Sequence, residues 1–177
     1  MALFSRSRTT EPTSDEHELQ ALAERLQLDF RSGRNFVSLF GEIDGHRVSA
    51  DANGPSLRVK VKFDSGMHDL SIRQSDSGIR TNRVDVDTGD AEFDAVFRLL
   101  LDTRDHPRAV LDYLNPYRRQ IIRQLGQAFK VHEIEEDELD IRLQHKPTVA
   151  EIAHAIDWGV HAAKALSMGA PPQDVRH

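Results

Sequence analysis

The chain has 177 residues, a formal net charge of −6 and no cysteine. Its length suits one domain with a sizeable core, and the missing cysteine excludes disulfides, thiolate catalysis and cysteine-based metal sites. Hydrophobic residues make up 38% and charged residues 29%, which indicates a globular chain with a well-solvated surface. The apolar runs are too short to cross a bilayer, and the first residues lack the apolar core of a signal peptide. We therefore expect a cytoplasmic protein without a membrane span.

The predicted organisation is a disordered tail over residues 1–12, one α+β domain over 13–168 and a flexible tail over 169–177. The first helix should begin at Thr13 or Ser14, because Thr13 and Glu16 have the spacing of a capping box. Leucines and alanine at i, i+3, i+4 and i+7 define its apolar stripe. They are Leu19, Leu22, Ala23 and Leu26, and the helix should end near Leu28.

Four strands should follow as an antiparallel meander. They lie over 36–43, 46–52, 57–63 and 70–72, and apolar and polar residues alternate along them. Asp44-Gly45 predicts a type I′ hairpin turn, since both of its central residues need positive φ. Such a meander buries one face and leaves the other in water.

The wet face of this meander is expected to be basic. Residues 31–83 hold nine basic and six acidic groups, whereas residues 84–177 hold eleven basic and seventeen acidic groups. The basic face is a candidate site for anions or nucleic acid, although no aromatic residues interleave as stacking platforms, so nucleic acid is not favoured. The candidate anion-binding residues are Arg47, Arg58, Lys60, Lys62 and Arg73.

The central segment, from Val84 to Phe97, divides a strand-rich half from a helix-rich half. Thr88-Gly89-Asp90 predicts a turn with Gly89 at positive φ, and Asp90 should cap a short helix. Phe93, Val96 and Phe97 are spaced to face one core. The carboxylates suggest an EF-hand, but a loop beginning at Asp85 has the wrong residues at its fifth, sixth and twelfth positions. A structural turn is therefore favoured over a calcium site.

The sequence TGDAEFDAVF, followed by a short apolar run, His106-Pro107 and LNPYRRQIIRQL, resembles a family of uncharacterised bacterial domains that carry a TGD-x-x-FD motif. The resemblance covers about residues 84–143. Several members are attached to membrane helices, which this chain lacks. The resemblance implies no catalytic residue. It implies a strand over 96–101, where periodicity alone also allows a helix.

The second half should contain two helices, a hairpin and a long closing helix. Pro107 suits the first turn of one helix, and Asn115-Pro116 predicts the start of another, for which Gly126 is a plausible end cap. The hairpin should run from Phe129 to Leu143 with an acidic tip over 133–138. The last helix is predicted from about Thr148 to Ser167.

The last helix has a second apolar side besides its core stripe. We expect this side to pack on the first helix of the chain or, preferably, on a second copy around Trp158, with histidines whose protonation below about pH 6 weakens the dimer. The interface candidates are His154, Trp158, His161, Ala162 and Ala165. The spacing of His154, Asp157 and His161 does not match a zinc-binding helix.

No motif supplies a nucleophile with its base, a phosphate-binding glycine loop or a dinucleotide fingerprint. No cofactor is therefore predicted, and the first hypothesis is a protein–protein interaction or regulatory module without catalytic activity. The alternatives are an anion- or nucleic-acid-binding domain and an enzyme whose site the sequence does not reveal.

Overall fold

The computed structural model describes residues 14–34, 36–53, 55–67, 70–74, 83–101, 107–135, 137–143 and 145–167. Both predicted tails and Thr13 of the predicted capping box lie outside these ranges. Among the described residues, no helix is long and apolar enough to cross a membrane.

One antiparallel sheet organises the described part of the chain. Its nine strands lie in the order β1-β2-β3-β4-β9-β8-β5-β7-β6. Their bounds are β1 Asp29–Gly33, β2 Phe36–Ile43, β3 His46–Asn53, β4 Ser56–Lys62, β5 Ser71–Gln74, β6 Val84–Val86, β7 Phe97–Leu101, β8 Lys130–Glu135 and β9 Glu138–Leu143. The late hairpin β8–β9 is therefore inserted into the middle of the sheet.

Three of the four predicted strands, β2 to β4, do form a meander, and β1 extends it at the outer edge. The fourth predicted strand, β5, exists but does not pair with β4; β9 pairs there instead. The prediction of an uninterrupted four-stranded meander was wrong, because strand order depends on which distant strand offers a matching apolar face. The β2–β3 turn is as predicted, with φ of 51° at Asp44 and 82° at Gly45.

The described residues also form five helices, and several of them pack on this sheet, so the predicted α+β fold is confirmed. Their bounds are α1 Ser14–Leu26, α2 Ala91–Asp94, α3 Pro107–Tyr113, α4 Pro116–Ala128 and α5 Val149–Leu166. Helix α5 crosses β3, β4 and β9 and also contacts both α1 and α4. Its Gly159 lies directly on β4, where an added Cβ would be 2.8 Å from Val61 Cγ2. Val61 and the other inward residues of β4 are fully or almost fully buried.

The first turn of α5 is fixed by a capping box. The Thr148 hydroxyl accepts a hydrogen bond from the backbone N–H of Glu151, while the Glu151 carboxylate accepts from the Thr148 N–H at 2.8 Å. This backbone N–H, followed by the neighbouring His145, lowers the pKa of Glu151 to about 2. The predicted starts of α4 and α5 are confirmed, with Asn115 and Thr148 as N-caps.

The last turns of α3 and α5 are held together by Arg118. This almost fully buried guanidinium donates to the carbonyls of Tyr113, Ala165 and Ser167. It also lies 4.2 Å from the centre of the Tyr113 ring, whose hydroxyl donates to the Leu166 carbonyl. The arginine therefore satisfies carbonyls at the end of α5 that have no partner within the helix.

Two predictions in this half were wrong. Gly126 does not end α4, which continues to Ala128; instead, Phe97 packs so closely on Gly126 that a Cβ would lie 2.4 Å from the ring. Val96 is 41% exposed, although Phe93 and Phe97 are buried and stack on each other. Val96 follows the end of α2, so the helical spacing that predicted its burial does not hold there. Residues 97–101 form a strand, as the resemblance implied.

Candidate interaction surfaces

Helix α5 presents one stripe to solvent, and an aromatic row runs along it. His154 and His161 are exposed, and Trp158 between them is half-buried. The Trp158 ring meets both imidazoles edge-on, with centroid distances of 6.3 Å to His154 and 5.7 Å to His161. Phe129 extends the row at 5.3 Å from His154. Three of the five predicted interface residues thus share one surface, as their i, i+4 and i+7 spacing requires.

The other two interface candidates do not belong to this surface. Ala162 is completely buried and Ala165 is 5% exposed. Both lie on a side of α5 that the rest of the same chain covers, and α4 is one of the helices that α5 contacts. The expectation that they meet a second molecule is therefore corrected. The first helix also contacts α5, so the last helix is packed on two sides within the chain.

A groove of about 400 Å³ adjoins Trp158. Apolar side chains from α1, the β2–β3 hairpin and α5 line it, including Leu26, Ile43 and Val160. Its rim carries Lys164 and Asp44, joined by an ion pair of 2.6 Å. The lysine is the main cause of the lowered pKa of Asp44. This groove was not predicted from the sequence, because it forms only where the end of α1 and the hairpin turn meet α5.

The predicted anion-binding residues lie on the face of the sheet opposite the one on which α5 packs, called the outer face below. Four of the five are paired with carboxylates of the β8–β9 hairpin. Arg58 binds Asp140 at 2.8 Å, Lys60 binds Glu138, and Lys62 binds Asp137 at 2.8 Å. The ion pairs to Asp140 and Asp137 are the main reasons that the pKa values of Arg58 and Lys62 are raised.

Arg73 completes this pattern by donating to Glu133 at 2.7 Å. Arg47 is exposed and lies opposite Glu42 on β2, with no ion pair of its own among the described residues. The expectation of a basic face is therefore corrected: the acidic hairpin predicted elsewhere in the sequence inserts beside β4 and balances its charge. The two halves of opposite charge predicted from the sequence meet in a single sheet.

The TGD-x-x-FD segment forms a closed local structure. Thr88 donates through its backbone and its hydroxyl to Asp94, the last residue of the motif, with a hydroxyl distance of 2.8 Å. Asp90 caps α2 by accepting from the Phe93 N–H and also pairs with Arg119 on α4. The cap is the first cause of its lowered pKa. Each polar member of the motif is thus engaged in a turn, cap or ion pair.

Candidate metal ligands are not brought together in the ranges that the structure describes: they contain no group of three histidine, aspartate or glutamate side chains suited to hold an ion. Asp85 of the rejected calcium loop pairs with Arg98 at 2.7 Å. His154 and His161 of α5 are separated by the Trp158 ring. The carboxylates of both acidic segments are largely used as ion-pair partners.

No family model matches the chain, and no curated protein matches it. Among solved structures, it is similar to the mycobacterial trehalose monomycolate transport factor A, TtfA. The superposition covers 87% of this chain and 93% of that one, with a TM-score of 0.57 and 8% sequence identity. At this identity the two chains share the fold alone.

Proposed function

We propose that this chain is a protein-interaction module without catalytic activity, and that it contacts its partner through the Trp158 surface of α5. This surface consists of His154, Trp158, His161 and the adjoining groove. The observation that carries the proposal is the half-buried tryptophan within an otherwise polar, solvent-facing stripe. Tryptophan is enriched among the residues that dominate binding energy at protein interfaces.

The chemistry of the surface supports a protein partner. The groove has an apolar floor beside Trp158 and a polar rim of Lys164 and Asp44, which is the arrangement of an interface core surrounded by hydrated groups. An apolar side chain of the partner would enter the groove while the edge of the indole contacts its backbone or a second side chain. The two imidazoles meet the indole edge-on, and the indole remains partly exposed to solvent.

We base the proposed absence of catalytic activity on the interactions that the titratable side chains make. The acidic and basic side chains of the outer sheet face neutralise one another in ion pairs, and those of the TGD-x-x-FD segment stabilise a turn. Catalysis instead requires a positioned nucleophile or base beside a place for a substrate.

The buried alanines bear on the identity of the partner. A homodimer built on close helix-to-helix contact would need Ala162 and Ala165 at the surface, and both are covered within the chain. We therefore propose that the Trp158 surface binds a different protein. Self-association through Trp158 is the competing arrangement. In the experiment below, it would appear as capture of the host's own copy of this chain by wild type and loss of that copy by Trp158→Glu.

The test is affinity capture from the native host with the wild-type chain, Trp158→Glu and the control Arg47→Ala. Arg47 is exposed on the outer face of the sheet, away from α5. Wild type and the control should retain the same protein, and Trp158→Glu should lose it. Because the chain has one tryptophan, titrating the purified partner should then change the fluorescence of that residue. Equal capture by a folded Trp158→Glu variant would contradict the proposal.

A further inference from the structure

The edge strand β1 is the second surface that can take a partner. Among the strands that the structure describes, it pairs with β2 alone and ends the sheet. Four of its five residues are exposed, it contains no proline, and its register with β2 has no bulge. Such an edge presents a row of backbone N–H and C=O groups that are free to pair with another strand. Proteins use this geometry to add strands from a partner.

Strand β1 carries one negative and one positive side chain, those of Asp29 and Arg31, two residues apart. Asp29 and Arg31 alternate with Phe30, so they point to the outer face of the sheet while Phe30 lies on the helix side opposite Leu39. Unlike Arg58, Lys60, Lys62 and Arg73, neither Asp29 nor Arg31 has an ion-pair partner among the described residues. The Arg31 guanidinium lies over the Phe40 ring at 4.4 Å.

We propose that two copies of this chain pair through β1 in antiparallel orientation, about a two-fold axis at Phe30. In this register Asp29 lies opposite Arg31 of the second copy, and Arg31 lies opposite Asp29 of the second copy. Directly opposed residues of antiparallel strands are close enough for such charges to attract. On the helix side, the two half-buried Phe30 rings meet and lose their remaining exposure to water.

The charge order excludes the neighbouring symmetric registers. An axis at Asp29 places two aspartates opposite each other, and an axis at Arg31 places two arginines opposite each other; both arrangements are repulsive. A shift by one residue pairs the outer face of one copy with the helix face of the other, because side chains alternate along a strand. Only the axis at Phe30 keeps both helix layers on one side and gives two attractive contacts.

A second copy suits β1 better than the other edge of the same sheet does. Strand β6 has three residues, and its only charged side chain, Asp85, already pairs with Arg98. Pairing of β1 with β6 of another molecule would also be head-to-tail, which leads to open filaments rather than a closed dimer. The proposed β1–β1 contact is closed, since each copy uses the same surface.

Sedimentation velocity of the full-length chain at micromolar concentration tests the proposal. Wild type should sediment with about twice the 20.0 kDa mass of one chain. The dimers of Asp29→Arg and of Arg31→Asp should each have a dissociation constant at least about tenfold higher than that of wild type, because two repulsive contacts replace two attractive ones. The double variant Asp29→Arg/Arg31→Asp should regain the dimer, since its charges are again opposite.

Mixing the two single variants gives the sharpest outcome. Asp29→Arg carries only arginines at these positions and Arg31→Asp carries only aspartates, so an equimolar mixture should form a heterodimer that neither variant forms alone. Trp158→Glu should remain dimeric, which separates this interface from the surface on α5. A monomeric wild type, a dimer unaffected by Asp29→Arg, a mixture that stays monomeric, or loss of the dimer in Trp158→Glu would each overturn the proposal.

Discussion

Gly89 is held at a φ of +74°, a conformation that most L-residues avoid. Apart from Thr88 and Asp90, no described residue has an atom within 4 Å of the position that its Cβ would occupy, so the cost of a substitution comes from the backbone conformation. Gly89→Val should lower the free energy of unfolding by about 1–3 kcal/mol, since a β-branched residue is strained there.

Chemical denaturation measures this effect, and Gly89→Asn is the matched control because asparagine tolerates positive φ better than valine does. We expect the asparagine variant to lose less stability than the valine variant. An unfolding free energy of Gly89→Val equal to that of wild type would show that the turn relaxes without strain.

The capping box of α5 makes the stability of the fold depend on pH in the acid range. The pKa of Glu151 is about 2 in the folded chain, below its value of about 4.3 when unfolded. The ionised carboxylate therefore stabilises the fold fully above the unfolded pKa, and this contribution is lost as pH falls towards 2. Glu151→Gln should be less stable than wild type at pH 7, and the difference should shrink between about pH 5 and pH 2.

Urea unfolding at several pH values checks this prediction. Glu18→Gln is the control, because Glu18 is exposed on α1 and caps no helix. The free energy of unfolding of this control should change with pH in the same way as that of wild type over the acid range. A constant difference between Glu151→Gln and wild type from pH 7 to pH 2 would contradict the assigned role of the carboxylate.

The elements themselves were largely readable from local patterns. Asp44-Gly45, Asn115-Pro116 and the starting region of α5 each contain their own turn or cap chemistry, so the chain around them folds as predicted. Strand β1 was missed because its five residues include only one large apolar side chain, Phe30. The prediction that Gly126 ends α4 was wrong, since a glycine needed for the close approach of Phe97 cannot be distinguished in sequence from a glycine that ends a helix.

The candidate surfaces depend on the whole molecule and were only partly predictable. The row of His154, Trp158 and His161 follows from helical spacing alone. The burial of Ala162 and the pairing of Lys60 with Glu138 do not, because they require knowing which helix covers α5 and which strand lies beside β4. Residues 78 positions apart in the sequence thus decide whether the outer face is basic or neutral.

The neutralised outer face predicts that the chain does not bind nucleic acid tightly at physiological salt. Labelled single- and double-stranded oligonucleotides should show no saturable binding to wild type, since the cations of β4 already contact carboxylates. The double variant Asp137→Asn/Glu138→Gln releases Lys60 and Lys62 and should bind more strongly than wild type at low salt. Tight wild-type binding that weakens steeply with added salt would contradict the prediction.

The insertion of the late hairpin also sets the order in which the chain can fold. Arg58 and its partner Asp140 are 82 residues apart, so β4 cannot acquire its second neighbour until β9 has been synthesised. Until then β4 is itself a sheet edge, with the alternating apolar and cationic residues of Ser56–Lys62 unpaired on that side. Contacts this distant slow folding, because a long loop must close before they form. We expect the nascent first half to be the stage at which this protein is most prone to aggregate.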